Sequence, residues 1–168
     1  MKLYIKQKVF SWRDKFTVKD ESGADRWFAQ GEFFSWGRKL QIYDSYGRKA
    51  AFISQKLLTV LRRYYIEIDG SVYTMKKELT LLRPKYSIEG LSWQMNGDFL
   101  AHEYELHDGR NQIMCMSKRW FTWGDSYELD IFDPANELMC LCVALAIDCM
   151  QADADSTAHS ASHHHKHR

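Results

Sequence analysis

The sequence has little net charge, few cysteines and no apolar run long enough to span a membrane. Its 168 residues carry a formal net charge of +1, which by itself predicts no particular partner. The N-terminal stretch MKLYIKQKVF interrupts its apolar residues with lysine and glutamine and has no small-residue cleavage site, so it does not resemble a secretory signal. We therefore expect an intracellular protein.

The four cysteines lack the spacing of a metal site or a disulfide framework. Three of them, Cys140, Cys142 and Cys149, fall in one apolar run, where a reduced thiol behaves as a small hydrophobic side chain. Cys140 and Cys142 lie two positions apart and so on different faces of a helix, and no second cysteine pair has finger spacing. We predict reduced structural cysteines and no metal site.

The common catalytic motifs are missing as well. The chain has no Gly-x-Ser-x-Gly elbow, no phosphate-binding loop and no His-Glu-x-x-His helix. His102 and His107 are five residues apart on an alternating strand, which puts them on opposite faces. We therefore predict no enzymatic activity, no catalytic residue and no cofactor. Nucleic acid is not favoured as a partner, because no recognition module is visible and the overall charge is near zero.

What the sequence does contain is one phrase written several times. KVFSWRDKFTVKD (8–20) returns as EFFSWGRKLQIYD (32–44), related copies begin at residues 56, 78 and 119, and GLSWQMNGDF (90–99) resembles a sixth, distorted copy. Each copy ends in alternation, such as Leu40 with Ile42, which predicts a strand with one buried face. Turn signals such as IDGS supply the positive φ of a tight hairpin, so each unit is predicted to be a β-hairpin.

Tryptophan recurs at one place in the phrase, at Trp12, Trp36 and Trp123. We interpret it as a large aromatic side chain that closes the end of each hairpin against the core, because a residue repeated in every unit is explained by the geometry of the unit. Contact with a lipid or ligand is the alternative.

One helix is predicted between Asp133 and Gln151. Asp133 is a suitable N-cap, and Pro134 suits the first turn. Residues 138–147 are all apolar, so the helix is buried on every side, yet the apolar segment of ~20 Å falls short of a ~30 Å bilayer core. A barrel of about a dozen strands leaves an interior that such a helix can fill. The fold is therefore predicted to be mainly β, a closed antiparallel barrel around a central hydrophobic C-terminal helix.

The barrel domain is expected to cover residues 1–151, with a tail over residues 152–168. The tail holds five of the seven histidines among small polar residues, a composition typical of disorder.

Charge is distributed unevenly along the chain. Residues 1–97 hold 18 Lys and Arg against 10 Asp and Glu, whereas residues 98–168 hold 5 against 12. Arg62 and Arg63 occupy the same loop position in one unit as Arg83 and Lys85 in the next, so we expect them at the same end of the barrel. Together with exposed aliphatics such as Leu61, they would suit an anionic membrane surface; a solvated basic surface is the alternative. The candidate ligand-binding residues are Arg62, Arg63, Lys76, Lys77, Arg83 and Lys85.

Several ordered blocks resemble the LURP-one-related family, a branch of the tubby-like superfamily that includes the phospholipid scramblases. They are IKQKVFSWRDKFTVKDESG (5–23), FFSWGRKLQIYDSYG (33–47), YYIEIDG (64–70), KYSIEGLSW (85–93), KRWFTWGDSYELDI (118–131) and LCVALAIDCM (141–150). The resemblance implies a twelve-stranded barrel around a central hydrophobic helix, and it brings no known activity, since many members have no assigned function. Some tubby-like domains bind phosphoinositide head groups, but none of their head-group residues is carried over to this chain.

These observations predict a non-enzymatic binding module, cytoplasmic and peripheral to a membrane, for anionic phospholipid or phosphoinositide. The alternative is a scaffold or regulatory protein that meets a protein partner through the loops that carry Trp12 and Trp36. An enzyme is the third hypothesis, which a deep polar pocket with a carboxylate or histidine of perturbed pKa would favour.

Overall fold

Strands with alternating buried and exposed residues, together with one apolar helix, make up most of the described part of the chain. The computed structural model describes residues 1–6, 15–32, 36–80, 85–98, 103–121 and 124–163. Side chains are described for all of these except residues 6, 15–16, 118–121, 124–125 and 152–163.

The described residues form twelve strands, each paired antiparallel with its neighbours in sequence. They are β1 (Lys2–Lys6), β2 (Lys15–Asp20), β3 (Asp25–Gly31), β4 (Lys39–Asp44), β5 (Lys49–Lys56), β6 (Arg63–Ile68), β7 (Ser71–Glu78), β8 (Lys85–Glu89), β9 (Trp93–Asp98), β10 (Glu103–Asp108), β11 (Asn111–Phe121) and β12 (Gly124–Ile131). Strand β1 also pairs with β12, which closes the sheet into a barrel. The predicted closed antiparallel barrel is confirmed.

The alternation in the sequence sets the inner face of the barrel. Leu40 and Ile42 of β4 and Tyr64 and Ile66 of β6 are buried, while the residues between them are half-buried or exposed. Because side chains alternate across a strand, the polar residues between these positions form the outer face. This inward pattern is the one predicted from the repeats.

Tight turns and longer connections lie at opposite ends of the barrel. Strands β6 and β7 are joined by Asp69 and Gly70, both with positive φ (+47° and +76°), as in a type I′ turn. This turn and those at residues 21–24, 45–48 and 109–110 define the turn end. The opposite end, where β3, β5 and β7 finish, is called the loop end.

GLSWQMNGDF is not a further copy of the repeated phrase. It forms the turn-end connection into β9 and then β9 itself, with Trp93 buried opposite Ile88 of β8. Trp93 opens β9 at the turn end, whereas Trp36 lies in the loop-end connection between β3 and β4, so the two tryptophans are not at equivalent positions. Strand β10 occupies the position that a sixth unit would have.

The central helix begins at the turn end. Asp133 Oδ1 accepts a hydrogen bond from Ala135 N at 3.0 Å, which confirms the predicted cap, and a 3₁₀-helix (Pro134–Asn136) leads into α1 (Glu137–His163). Glu137 accepts two hydrogen bonds from Arg26 and one from Trp27, each at 2.7–2.8 Å. This carboxylate therefore fastens the start of the helix to strand β3.

The helix fills the barrel and leaves it at the loop end. Residues 140–150 are all buried, and Arg62 Nη1 donates to the Met150 carbonyl oxygen at 2.9 Å where the helix exits. The helical backbone continues to His163, so the predicted boundary after Gln151 does not coincide with the end of the helix. The division into barrel domain and tail stays a prediction.

Candidate functional site

Backbone contacts join the connections at the loop end into one surface. Arg38, between β3 and β4, donates its N–H to Gln55 Oε1 at 3.1 Å, and Gln55 N donates to the Arg38 carbonyl at 2.8 Å. Lys77 N donates to the Arg62 carbonyl at 3.4 Å. The β3–β4 connection, the β5–β6 connection and the end of β7 are therefore neighbours.

The predicted basic residues that the structure describes do meet at this end. Arg63 opens β6 and lies directly across from Lys76 of β7, while Lys56 of β5 lies across from Arg63 on the other side. Lys85 opens β8. Since Tyr64, Met75 and Tyr86 point inward, their neighbours Arg63, Lys76 and Lys85 line the outer face, and with Lys56 we call them the basic face. Arg83 lies outside the described residues.

Two of the predicted residues already have protein partners. Arg62 holds the end of the buried helix through its bond to Met150, a contact between residues 88 positions apart. Lys76 Nζ lies 2.7 Å from Glu89 Oε1 on the outer face. Arg62 is therefore a structural residue in addition to a candidate, and Glu89 removes part of the positive charge of the basic face.

The electrostatics of Glu89 record how close the cations lie. A hydrogen bond from Lys76 lowers the pKa of Glu89, and the charges of Lys76, Arg63 and Lys56 lower it further. Three cations therefore act on one exposed carboxylate. The basic face retains a net positive charge even with Glu89 ionised.

A group of exposed apolar side chains lies beside the basic face, and sequence analysis missed most of it. Trp36 is 89% exposed, Leu79 is 85% exposed, and Leu58 and Val60 are fully exposed. With the partly exposed Leu57 we call them the apolar tips. Leu61, expected to be exposed, is half-buried. The signal that could have found the tips is KLLTVLRR, where four aliphatic residues lie in a connection between two strands.

The interpretation of Trp36 as an aromatic side chain that closes its hairpin against the core was wrong, because its side chain is exposed. Gly37, with φ of +81°, turns the chain at this point, and a Cβ built on it would lie 2.8 Å from Leu57 Cδ2. The two connections therefore pack through Gly37 and Leu57, leaving the indole ring outside. Trp12 and Trp123 lie outside the described residues.

Leu58 has an unusual backbone conformation. Its φ is +59°, in the left-handed region that bulky L-residues rarely adopt because Cβ crowds the backbone. Neither burial nor side-chain packing explains a leucine here, since the side chain is fully exposed. A leucine held in a strained, solvent-facing position points to a role outside the fold itself.

A buried polar group lies beneath this surface. Asp148 interrupts the apolar stretch of α1 and is 9% exposed. Burial raises its pKa to about 7, and the nearby Arg38 guanidinium opposes this shift. Beside it, burial raises the pKa of Tyr104 to about 12, and Gln151 Nε2 donates to the Tyr104 hydroxyl at 2.6 Å. These groups close the barrel around the departing helix.

A cavity of about 290 Å³ lies near the turn end and is lined by residues including Phe52, Glu67 and Asp69. Lys49 Nζ sits 4.6 Å from the Phe52 ring centre there. No group of three His, Cys, Asp or Glu side chains within the described part of the chain could hold a metal ion. Asp148 lies near the opposite end of the barrel from this cavity.

The cysteines follow the sequence prediction where they are described. All four thiols are free, and Cys140, Cys142 and Cys149 are buried. Burial raises the pKa of Cys140 to about 12 and that of Cys142 further. A thiol held protonated in this way is a poor nucleophile.

Comparison with known proteins supports the family resemblance. The family model described as LURP-one-related matches residues 1–148. An uncharacterized protein, YxjI of Bacillus subtilis (strain 168), is 40% identical over 149 residues, covering 88% of this chain and 92% of that protein. No solved structure gives a significant match. In the helices that the structure describes, none has the length and hydropathy needed to cross a membrane.

Proposed function

This chain belongs to the LURP-one-related family, and from the geometry of its loop end we propose that it is a non-enzymatic module that binds anionic phospholipid head groups at a membrane surface. The observation that carries the proposal is the basic face, where Lys56, Arg63 and Lys76 lie side by side on three adjacent strands. The protein would act from the cytoplasm as a peripheral membrane protein.

The size of the electrostatic effect suits reversible binding. A Lys or Arg near an anionic leaflet contributes about 1 kcal/mol. Lys56, Arg63 and the exposed Lys77 at the end of β7 therefore supply roughly 3 kcal/mol, while Lys76 is offset by Glu89 and Lys85 lies across from Glu78. That corresponds to about a hundredfold gain in partitioning over a neutral surface. It is enough for peripheral association that salt reverses.

Vesicle sedimentation tests the proposal and separates two sources of the phosphate group. We use vesicles of phosphatidylcholine alone, with phosphatidylserine, or with a phosphoinositide at equal total charge. We expect sedimentation only with the anionic vesicles. Preference for the phosphoinositide at matched charge would indicate a head-group site, and equal binding would indicate a surface that responds to charge alone.

Charge reversal identifies the surface responsible. Arg63→Glu combined with Lys85→Glu should abolish sedimentation, because it reverses the charge of two residues of the basic face. Arg62 is left unchanged, since it also holds the end of helix α1. Lys19→Glu combined with Lys49→Glu is the matched control, since it makes the same change in net charge on β2 and β5 near the turn end. An equal loss of vesicle sedimentation in both double variants would refute the proposal. So would the absence of sedimentation of the wild-type protein with anionic vesicles at low salt.

A protein partner is the second candidate, favoured by the exposure of Trp36. In that case a partner captured from cell extract should be lost on Trp36→Ser without loss of the melting transition. Such a partner, together with no sedimentation of the wild-type protein on anionic vesicles, would favour this candidate over the first.

A further inference from the structure

The apolar tips and the basic face occupy one edge of the barrel, and we propose that the tips insert into the hydrocarbon of an anionic bilayer while the basic face holds its head groups. This inference rests on the proposed function and adds to it a depth and an orientation. It assigns a role to the largely exposed side chains of Trp36, Leu58, Val60 and Leu79, and a second role to Leu57, which also packs against Gly37.

Exposure and strain support insertion together. Leu58 and Val60 project from the β5–β6 connection, and Leu79 projects beyond β7, with little of their side-chain surface covered. Leu58 adopts a φ that glycine or asparagine would accept more readily. Neither fold stability nor turn geometry accounts for an aliphatic residue at that position. Transfer of its side chain into hydrocarbon does, because it removes that apolar surface from water.

Charge complementarity selects the occupant as an anionic bilayer. Lys56 immediately precedes Leu57, Arg63 follows the same connection, and Lys77 is two residues from Leu79. A layer of cations behind a layer of apolar side chains matches the order of phosphate and acyl chain in a membrane. A partner protein or a second copy of this chain would have no need for this order.

The direction of the helix and the opposite face of the barrel fix the orientation. Helix α1 continues 13 residues beyond Met150 to His163, about 20 Å at ~1.5 Å per residue. A barrel standing upright on its loop end would drive this polar segment into hydrocarbon. Strand β12 lies across the barrel from β6 and carries Asp130, as well as Glu128, which is buried and paired with Lys2. We infer that the barrel docks tilted, with the β5–β8 side toward the membrane and β10–β12 away from it.

Leu58→Asn separates insertion from folding. Asparagine tolerates positive φ, so the variant should melt at the wild-type temperature or above it, yet its partition coefficient on phosphatidylserine vesicles should fall about tenfold. Leu79→Asn should give a similar loss. Val72→Asn, an exposed apolar residue at the start of β7 near the turn end, is the matched control and should bind as wild type does.

Quenching of Trp36 measures depth. We expect acyl-brominated phosphatidylserine to quench a component of the fluorescence that Trp36→Phe removes. Sedimentation without this quenching, with Leu58→Asn binding as wild type, would overturn insertion and leave the proposed function standing. If the wild-type protein does not bind anionic vesicles, both the insertion and the proposed function are overturned. A dimer in lipid-free solution that Leu58→Asn dissociates would assign the tips to a second copy instead.

Discussion

Replacing Asp148 by asparagine should stabilise the protein by an amount that grows as the pH rises from about 4 to about 7. The carboxyl group of Asp148 lies in the buried part of α1, and burial raises its pKa from 3.8 to about 7. The folded state therefore binds the proton more tightly than the unfolded state. Stability falls as pH rises from about 4 to about 7, because the folded protein must then ionise a buried group.

The magnitude follows from the two pKa values. Each tenfold change in proton affinity corresponds to ~1.4 kcal/mol, so the whole difference corresponds to at most about 4 kcal/mol. Asparagine keeps the shape of the side chain and cannot ionise. Asp148→Asn should therefore raise the free energy of unfolding by up to ~4 kcal/mol at pH 8, and by almost nothing at pH 4. For a chain of this length, the melting temperature at pH 8 should rise by roughly 10 °C.

Urea unfolding of both proteins between pH 4 and 8 provides the assay, with the difference between the two curves isolating Asp148 from every other titrating group. Asp108→Asn, which alters an exposed carboxylate, is the control and should give parallel curves. Parallel curves for Asp148→Asn as well would show that Asp148 is not held in a poorly solvated site. Destabilisation that grows toward pH 8 would show that its ionised form is required.

Two further substitutions test the packing of helix α1 inside the barrel. Glu137→Gln should destabilise by about 1–3 kcal/mol, because Arg26 and Trp27 lose a charged acceptor; Glu103→Gln, on the outer face, should not. Burial alone would raise the pKa of Glu137, but the hydrogen bonds from Arg26 and Trp27 hold it below its usual value. The contribution of ionised Glu137 to the free energy of unfolding should therefore be present above pH ~5 and lost on acidification. Leu145→Asp should abolish the cooperative melt, because it places an ion in a fully packed site, whereas Leu145→Met should fold. A folded Leu145→Asp protein would contradict the barrel-and-plug arrangement.

Local patterns were sufficient to predict the barrel. Alternation of apolar residues such as Leu40 and Ile42 predicts which face of a strand is buried, and Asp69-Gly70 predicts where the chain reverses. Strands and hairpins can therefore be predicted from residues that are neighbours in sequence. The apolar run of α1 then has a place only in the interior. What escaped prediction depends on the spatial arrangement of distant residues: Arg62 reaches Met150, Lys76 reaches Glu89, and the exposure of Trp36 depends on Leu57 packing against Gly37.

The candidate site was predicted in part for the same reason. The repeat placed Arg63 and Lys85 at one end of the barrel because equivalent positions in successive hairpins must emerge together. The repeat contained no information on Leu58, whose exposure and positive φ arise in a connection that differs from copy to copy. The ligand of the basic face stays a prediction.

Pairing of β1 with β12 also determines when the protein can finish folding. Ile131 N donates to the Met1 carbonyl at 2.8 Å, so the seam joins positions 130 residues apart. Until both have left the ribosome, β1 has only one neighbour and the lining of the half-built barrel faces water. The helix that must fill the interior is synthesised later still. Helix α1 is therefore synthesised after the twelve strands that surround it, and we expect nascent chains ending before residue 150 to be substrates for chaperones.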